Sequence, residues 1–429
     1  MNINTIAIVG LGYVGLPLLL AYARKGFNVI GIDIDSAKTE ALRAGRSYIK
    51  HIPTAQVLEA MSGGKLDATT DFARIADADA VILCVPTPLD HHLEPDLSYV
   101  RDTLDAVIPH LKSGAILSLE STTYPGTTAE EMVPRVMARG MQPGESVFIV
   151  YSPEREDPGN PKFTATNIPK VVGGHTPACL EAGVALYQAG FDTVVPVSST
   201  QVAELTKLLE NIYRSVNIGL VNELKTVGDA MGIDIWEVIR AASTKPFGFT
   251  PFFPGPGLGG HCIPIDPFYL TWKAREFGVH TRFIELAGQI NRSMPEYVVN
   301  RTMIALNDLG KAVNGSRILL LGLAYKADVD DMRESPTFEL LERFSALGAD
   351  VSYYDPYVPE IGPTREHAKW QGVKSQPWNE ETLRRQDAIV IATHHKAFDL
   401  DQLACWASLI IDTRNAMQEI KSTATVVKA

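Results

Sequence analysis

One stretch of the chain reads Gly255-Pro256-Gly257-Leu258-Gly259-Gly260-His261-Cys262-Ile263-Pro264-Ile265-Asp266. Glycine lets a backbone approach a ligand closely or take a positive φ, and proline stiffens the chain. A thiol at the end of such a pre-shaped loop, Cys262, is a candidate covalent nucleophile. If the chain turns helical at Ile265, Cys262 and Asp266 both lie near a helix N-terminus, where the dipole favours negative charge, including a thiolate. The competing reading is a surface loop ending in a buried structural cysteine. Lys207 and Asn211 stand one helical turn apart, beside Glu204 and Arg214, and can reach one ligand together; otherwise they are a solvated polar face. Glu154, in Ser152-Pro153-Glu154-Arg155, offers a carboxylate just after a strand, or is an ordinary loop acid.

The elements that must position these groups can be read in order. An apolar strand runs from Thr5 into Gly10-Leu11-Gly12-Tyr13-Val14-Gly15, and a helix follows from Leu16. This is the glycine fingerprint of a dinucleotide site, with the pyrophosphate on the helix N-terminus; the bland reading is a structural β-turn-α. A second strand, 28–32, ends at Asp33, whose carboxylate accepts from ribose hydroxyls and repels a 2′-phosphate, so NAD is expected rather than NADP. Strands 80–85 and 115–120 break into the loops Pro86-Thr87-Pro88 and Ser121-Thr122-Thr123-Tyr124-Pro125-Gly126, which should flank the nicotinamide half, and Cys84 reads as core. Strand 147–151 leads to Glu154. After a strand at 193–197, Ser199 caps a long helix with one apolar stripe: Val202, Leu205, Leu209, Ile212, Val216, Leu220, Leu224 and Val227. Further helices are expected at 235–243, 267–277 and 295–308. A second α/β unit begins at Ser316: strand 318–321 runs into Gly322-Leu323-Ala324-Tyr325-Lys326, a helix starts near Ser335, and strand 350–354 ends at Asp355. The glycine triplet is gone there, and Lys326 suits one nucleotide diphosphate as a point charge. Strands 388–392 and 409–411 end at Thr393 and Asp412-Thr413-Arg414.

The expected fold is therefore α/β, with two Rossmann-like doubly wound lobes joined by a helical middle region with a long central helix. The expected domains are 1–198, 199–310 and 311–429. A net charge of -11 over 429 residues gives no nucleic-acid footprint. The four cysteines, Cys84, Cys179, Cys262 and Cys405, lack paired spacing, which argues against a disulfide framework or a metal site and suits a reducing cytoplasm. No signal peptide or membrane span is expected.

Together these motifs resemble the UDP-glucose/GDP-mannose dehydrogenase family along essentially the whole chain. The resemblance rests on the Gly10–Gly15 turn, the Pro-Thr-Pro loop, the Ser-Thr-x-x-Pro-Gly loop, Ser-Pro-Glu, Glu-Leu-x-Lys-x-x-x-Asn, Gly-Gly-x-Cys and Lys-x-x-x-x-x-x-Arg-Glu-Ser. It implies a four-electron oxidation of a nucleotide sugar at C6 with two NAD⁺ in succession, a central-helix homodimer or larger homo-oligomer, and no metal. By the same resemblance Cys262 is the nucleophile, Lys207 the oxyanion's cation, and Asn211 and Thr122 the polar groups that hold the reacting oxygen or a water. Asp266 and Glu154 are candidate bases. Gly10, Gly12, Tyr13, Val14, Gly15, Asp33, Lys38, Pro86, Thr87, Ser121, Thr122 and Arg333 match cofactor positions. Glu154, Arg155, Lys207, Asn211, Phe252, Phe253, Gly255, Gly257, Gly259, Lys326 and Arg414 match substrate positions. Two positions depart from the UDP-glucose enzymes: Pro158 stands where many have a second glutamate, and the segment 244–248 has no clean match to their partner-subunit arginine. The loops around Glu154 and Cys262 look most like the branch acting on UDP-2-acetamido sugars, which feeds surface polysaccharide. UDP-N-acetylglucosamine is favoured over its N-acetylmannosamine and N-acetylgalactosamine counterparts and UDP-glucose. A non-catalytic nucleotide-sugar sensor and a one-step alcohol dehydrogenase are the alternatives from other classes.

Overall fold

A computed structural model describes residues 3–49, 52–63, 65–90, 94–155, 166–260, 263, 265–364 and 366–429; Cys262 and the segment 156–165, Pro158 included, lie outside the described residues. The chain forms two units, Met1–Asn211 with Phe268–His280, and Ile212–Pro267 with Thr281–Ala429.

The first unit carries β1 (Thr5–Val9), α1 (Gly15–Arg24), β2 (Asn28–Ile32), α2 (Ser36–Arg43), α3 (Thr54–Ser62), β3 (Leu66–Thr69), β4 (Ala80–Leu83), α4 (Ser98–Val107), β5 (Ala115–Leu119), α5 (Val133–Ala138), β6 (Val147–Tyr151), β7 (Lys170–Gly174), α6 (Pro177–Gln188) and β8 (Val194–Val197). Among the described residues these strands form one sheet in the order β3-β2-β1-β4-β5-β6-β7-β8. β3 to β6 are parallel neighbours, while β7 runs antiparallel to β6 and parallel to β8. β1, β4 and β5 are apolar runs buried along nearly their whole length, as strands covered by helices on both faces must be. The order reverses between β1 and β4, and the crevice at their carboxyl ends is the place where such sheets take ligands. β4 and β5 stop at Leu83 and Leu119, one or two residues before the expected ends, so Cys84 and Glu120 sit on the sheet's edge. Cys84 is half-buried there and packs against the core from its rim.

The chain then enters α7 (Thr200–Met231), 32 residues or about 48 Å of helix. α8 (Ile235–Ala242) and α9 (Asp266–Glu276) follow near their expected bounds. α10 (Arg282–Asp308) does not begin at Pro295: the proline lies inside a 27-residue helix. In sequence a proline at this place reads as the first residue of a helix. The helix instead runs through it, giving up only the bond that Pro295 cannot donate to the Asn291 carbonyl.

The second unit's sheet is built from β9 (Arg317–Leu321), α11 (Pro336–Ala346), β10 (Asp350–Tyr354), α12 (Glu380–Arg384), β11 (Ala388–Ile391), α13 (Leu400–Trp406), β12 (Leu409–Asp412) and β13 (Thr425–Lys428). Its described strands are all parallel, in the order β10-β9-β11-β12-β13. Both sheets are Rossmann-like, and the chain passes from one to the other through the long central helix. Among the described residues no helix is long and apolar enough to cross a membrane.

The two lobes repeat one device and use it differently. Gly10, at φ +92°, ends β1 where an added Cβ would stand 2.5 Å from the Cys84 carbonyl oxygen; Gly322, at φ +86°, ends β9 with its Cβ position 2.3 Å from the Thr393 carbonyl oxygen. Each neighbouring strand ends in an aspartate, Asp33 and Asp355. Asp33 accepts from the Leu11 and Asp35 amides at 2.7 and 2.9 Å and from Lys38 Nζ at 3.0 Å, which leaves lone-pair capacity for a ribose hydroxyl. Asp355 is saturated by its own chain. It accepts from the amides of Leu323, Ala324, Tyr357 and Val358 at 2.7 to 3.1 Å and from His395 Nε2 at 3.0 Å. Because His395 Nδ1 accepts from the Asp328 amide at 2.9 Å, the neutral ring must donate through Nε2. Burial alone would raise the Asp355 carboxyl, but His395 and the amides hold it below its ordinary value.

Candidate active site

α7 turns the expected amphipathic pattern inside out. Glu204, Lys207 and Asn211 are 0%, 5% and 3% exposed, while Leu205, Leu209, Leu220 and Leu224 are between 41% and 63% exposed. The solvated-face reading thus fails for these three residues; of that stripe only Arg214 is exposed. Each buried group is supported. Glu204 Oε2 accepts from the Gly126 amide at 2.6 Å, and Oε1 accepts from the Thr128 amide and hydroxyl at 2.9 and 2.6 Å. Burial raises the Glu204 carboxyl, and these donors oppose the rise. Lys207 Nζ lies 3.6 Å from Glu154 Oε2. Burying an ammonium costs several kcal/mol unless a counter-charge is near, so Lys207 and Glu154 are a built pair. Arg155 forks onto Glu210 of the same helix, with Nη2 at 2.7 Å, and donates to the Pro169 carbonyl at 2.6 Å.

The strand-end loops are stitched together. Thr87 Oγ1 donates to the Thr122 carbonyl at 2.7 Å, and Ser121 Oγ to the Val85 carbonyl at 2.6 Å. The Pro-Thr-Pro and Ser-Thr loops therefore form one support at the carboxyl ends of β4 and β5. The glycine turn fits a pyrophosphate. A Cβ at Gly15 would lie 1.8 Å from the Gly10 carbonyl oxygen, and a Cβ at Gly12 would meet nothing within 4 Å, leaving that face open above the start of α1.

One buried pair leaves almost no trace in the sequence. Glu120 and Lys170 are 1% and 5% exposed and joined at 2.7 Å, with Lys170 over the Tyr187 and Phe191 rings. Glu120 Oε1 has no hydrogen-bond partner among the described residues. It lines a small cavity with Val14, Arg155 and Lys170, beside the glycine turn. Burial raises the Glu120 carboxyl and Lys170 pulls it back. The only signal was a charged residue closing an apolar strand.

In the second unit the loop before Cys262 is held from several sides. Asn222 Oδ1 accepts from the Gly255 amide at 3.0 Å, its Nδ2 donates to Asn291 Oδ1 at 2.9 Å, and Asn291 Nδ2 donates to the Ser215 carbonyl at 3.0 Å. Arg414 donates through Nε to the Ala392 carbonyl at 2.8 Å and lies against Gly255, where a Cβ would sit 2.4 Å from Nη1. Burial pushes the Arg414 guanidinium down to about 10, with Asp412 opposing, so it stays charged at neutral pH. Gly257 faces Pro336 and Pro295, and Gly259 faces Tyr325 and Pro336. Phe252 packs on Tyr213 at 5.7 Å between ring centroids, whereas Phe253 is half exposed. Lys326 is half-buried at the end of the β9 loop, and Arg333 forks onto Asp331 at 2.7 and 2.8 Å. Asp266, 3% exposed, opens α9 as expected.

Three family models match the chain in order: the NAD binding domain of the UDP-glucose/GDP-mannose dehydrogenase family over residues 4–190, its central domain over 201–293, and its UDP binding domain over 319–419. The UDP-N-acetyl-D-glucosamine 6-dehydrogenase of Pseudomonas aeruginosa is 35% identical over 396 residues, 92% of this chain and 91% of that one. The NDP-N-acetyl-D-galactosaminuronic acid dehydrogenase of Ralstonia nicotianae is 34% identical over 428 residues, 96% of each chain. Among solved structures, a UDP-D-ManNAc dehydrogenase from Pyrococcus horikoshii aligns with a TM-score of 0.89 at 30% identity, covering 99% of this chain and 98% of that one.

Proposed function

The chain belongs to the UDP-glucose/GDP-mannose dehydrogenase family, and on that premise we propose that it oxidises C6 of a UDP-2-acetamido sugar, UDP-N-acetylglucosamine first, from alcohol to carboxylate. NAD is the cofactor, and when bound it takes up the hydride in each of two oxidations. The observation that carries the reading is the buried polar face of α7, where Lys207 stands 3.6 Å from Glu154 and Asn211 lies one turn on. A buried cation beside a carboxylate is equipped to stabilise a developing oxyanion.

In this reading Asp266 or Glu154 takes the C6 hydroxyl proton during the first oxidation, and Thr122 and Asn211 hold the reacting oxygen or a water. The Cys262 thiolate adds to the aldehyde carbon, and Lys207 stabilises the alkoxide of the thiohemiacetal. The second oxidation leaves a thioester. Water, deprotonated by Glu154, adds to it, and the tetrahedral adduct expels the thiolate and releases the uronic acid. Lys326 and Arg414 bind the diphosphate or ribose, and Phe252, Phe253, Gly255, Gly257 and Gly259 shape the uracil-ribose loop. Arg333 reaches the cofactor. The saturated Asp355 supports this division, since it has no acceptor left for a second adenosine ribose. The functional divisions are 1–198, 199–310 and 311–429. The exposed apolar stripe of α7 supports a homodimer through that helix, in the cytoplasm, serving surface-polysaccharide synthesis.

Gly255→Ala tests the substrate side. A methyl there pushes the Arg414 guanidinium aside, so KM for the UDP-sugar should rise roughly 10-fold or more, as expected for a weakened charge-assisted bond. KM for NAD should stay within about twofold, because the glycine turn is untouched. A rise in KM for NAD alone would reverse the assignment of lobes.

Relatives at 34–35% identity carry different acetamido sugars in their names, so the C2 acetamido group is the shared chemistry. A site built around that amide leaves polar groups unpaired with UDP-glucose, at a cost of about 10⁴ in kcat/KM. Initial rates with UDP-N-acetylglucosamine, its N-acetylmannosamine and N-acetylgalactosamine counterparts, and UDP-glucose test this. Equal rates with UDP-glucose and UDP-N-acetylglucosamine would refute it.

A further inference from the structure

α9 begins immediately after the cysteine loop, and its buried face is fastened to both nicotinamide-side loops within the first unit. Tyr269, fully buried, donates its hydroxyl to the Pro88 carbonyl at 3.2 Å. Trp272 packs on Tyr124 with ring centroids 5.1 Å apart. Lys273 Nζ lies over the Tyr124 ring at 4.7 Å and bonds Glu130 at 2.7 and 3.0 Å and Glu276 at 2.8 Å. The same loop is gripped from α7 by Glu204, and the two loops are bonded through Thr87 and Ser121. One turn of α9 thus contacts, from a single helix face, the exits of both β4 and β5. General packing needs neither a buried hydroxyl aimed at a loop carbonyl nor an ammonium shared between two carboxylates.

We propose that Tyr269 and Lys273 are positioning residues: they tie α9, and so the chain segment leading back to Cys262, to the loops at the carboxyl ends of β4 and β5. The proposal rests on the reading of Cys262 as nucleophile. Loosening the tie leaves both ligand-binding loops chemically intact but lets the thiol stray from the aldehyde, and a displacement of about 1 Å can cost about a hundredfold in rate. An aldehyde that is not captured escapes.

The test uses the full-length Tyr269→Phe, Lys273→Met and combined variants, with semicarbazide in the assay to trap released aldehyde. Methionine keeps the unbranched stem on Tyr124 and removes the charge. The expected result is a kcat lowered about 10- to 100-fold in the combined variant, with KM for the UDP-sugar within about twofold of wild type and trapped aldehyde appearing where the wild type releases none. Lys273→Arg should largely restore capture, since both carboxylates remain within reach. A lowered Tm with unchanged kcat and no trapped aldehyde would show ordinary helix packing and overturn the proposal. Cys262→Ala is assayed in parallel: if it still makes uronic acid, the nucleophile reading fails and the proposal falls with it. If Cys262→Ala is inactive and the α9 variants behave as wild type, the proposal alone is wrong.

Discussion

Lys207→Met should lower kcat by about 10²- to 10³-fold at saturating NAD and UDP-sugar while the protein stays folded. Methionine matches the length of the lysine stem, so the buried site on α7 keeps its packing. What is lost is the positive charge 3.6 Å from Glu154. An ammonium that is 5% exposed acts in a medium where little water screens it, so its removal is felt most by the state that carries negative charge on oxygen. KM for NAD should change little. NADH formation at 340 nm and a melting curve on the same sample check both halves. A kcat within about threefold of wild type would make Lys207 a structural cation for Glu154.

Cys262→Ala should abolish uronic acid formation, by roughly 10³-fold or more, and leave both ligands bound. The first oxidation needs a base and an aligned acceptor but no covalent bond, so the variant should at most interconvert alcohol and aldehyde. Cys262→Ser supplies a poorer nucleophile and a far poorer leaving group. The ester it forms should hydrolyse slowly, leaving sugar on the protein as a mass increase on peptide 255–266. A structural thiol behaves differently: Cys262→Ala would then cost about 1 kcal/mol of stability and spare kcat.

Much of this was legible in the chain because local rules and tertiary demands agreed. The Gly10–Gly15 turn needs close backbone approach, and at Gly10 and Gly15 an added Cβ would strike backbone at 2.5 and 1.8 Å. The parallel strands were readable as short apolar runs ending in loops, and the two aspartates, Asp33 and Asp355, as their punctuation. What misled was context. The polar stripe of α7 reads equally as a solvated face or as a ligand-facing one, because a helix has two faces and periodicity cannot say which one the fold covers; the fold buries Glu204, Lys207 and Asn211, with partners in place for Glu204 and Lys207. Pro295 reads as a start because a proline at N1 and one in mid-helix look alike in sequence. Glu120 with Lys170, Asn222 with Asn291, and Tyr269 with Pro88 are separated by 50, 69 and 181 residues, and pairs so distant leave no spacing to read.

A four-electron oxidation at one carbon is measured by the amount of NADH formed per UDP-sugar consumed, with the product identified by mass. The expected result is two NADH per sugar, a product 14 Da heavier from loss of two hydrogens and gain of one oxygen, and no accumulated aldehyde in the wild type. One NADH per sugar with an aldehyde or ketone product, or binding with no NADH at all, would contradict it.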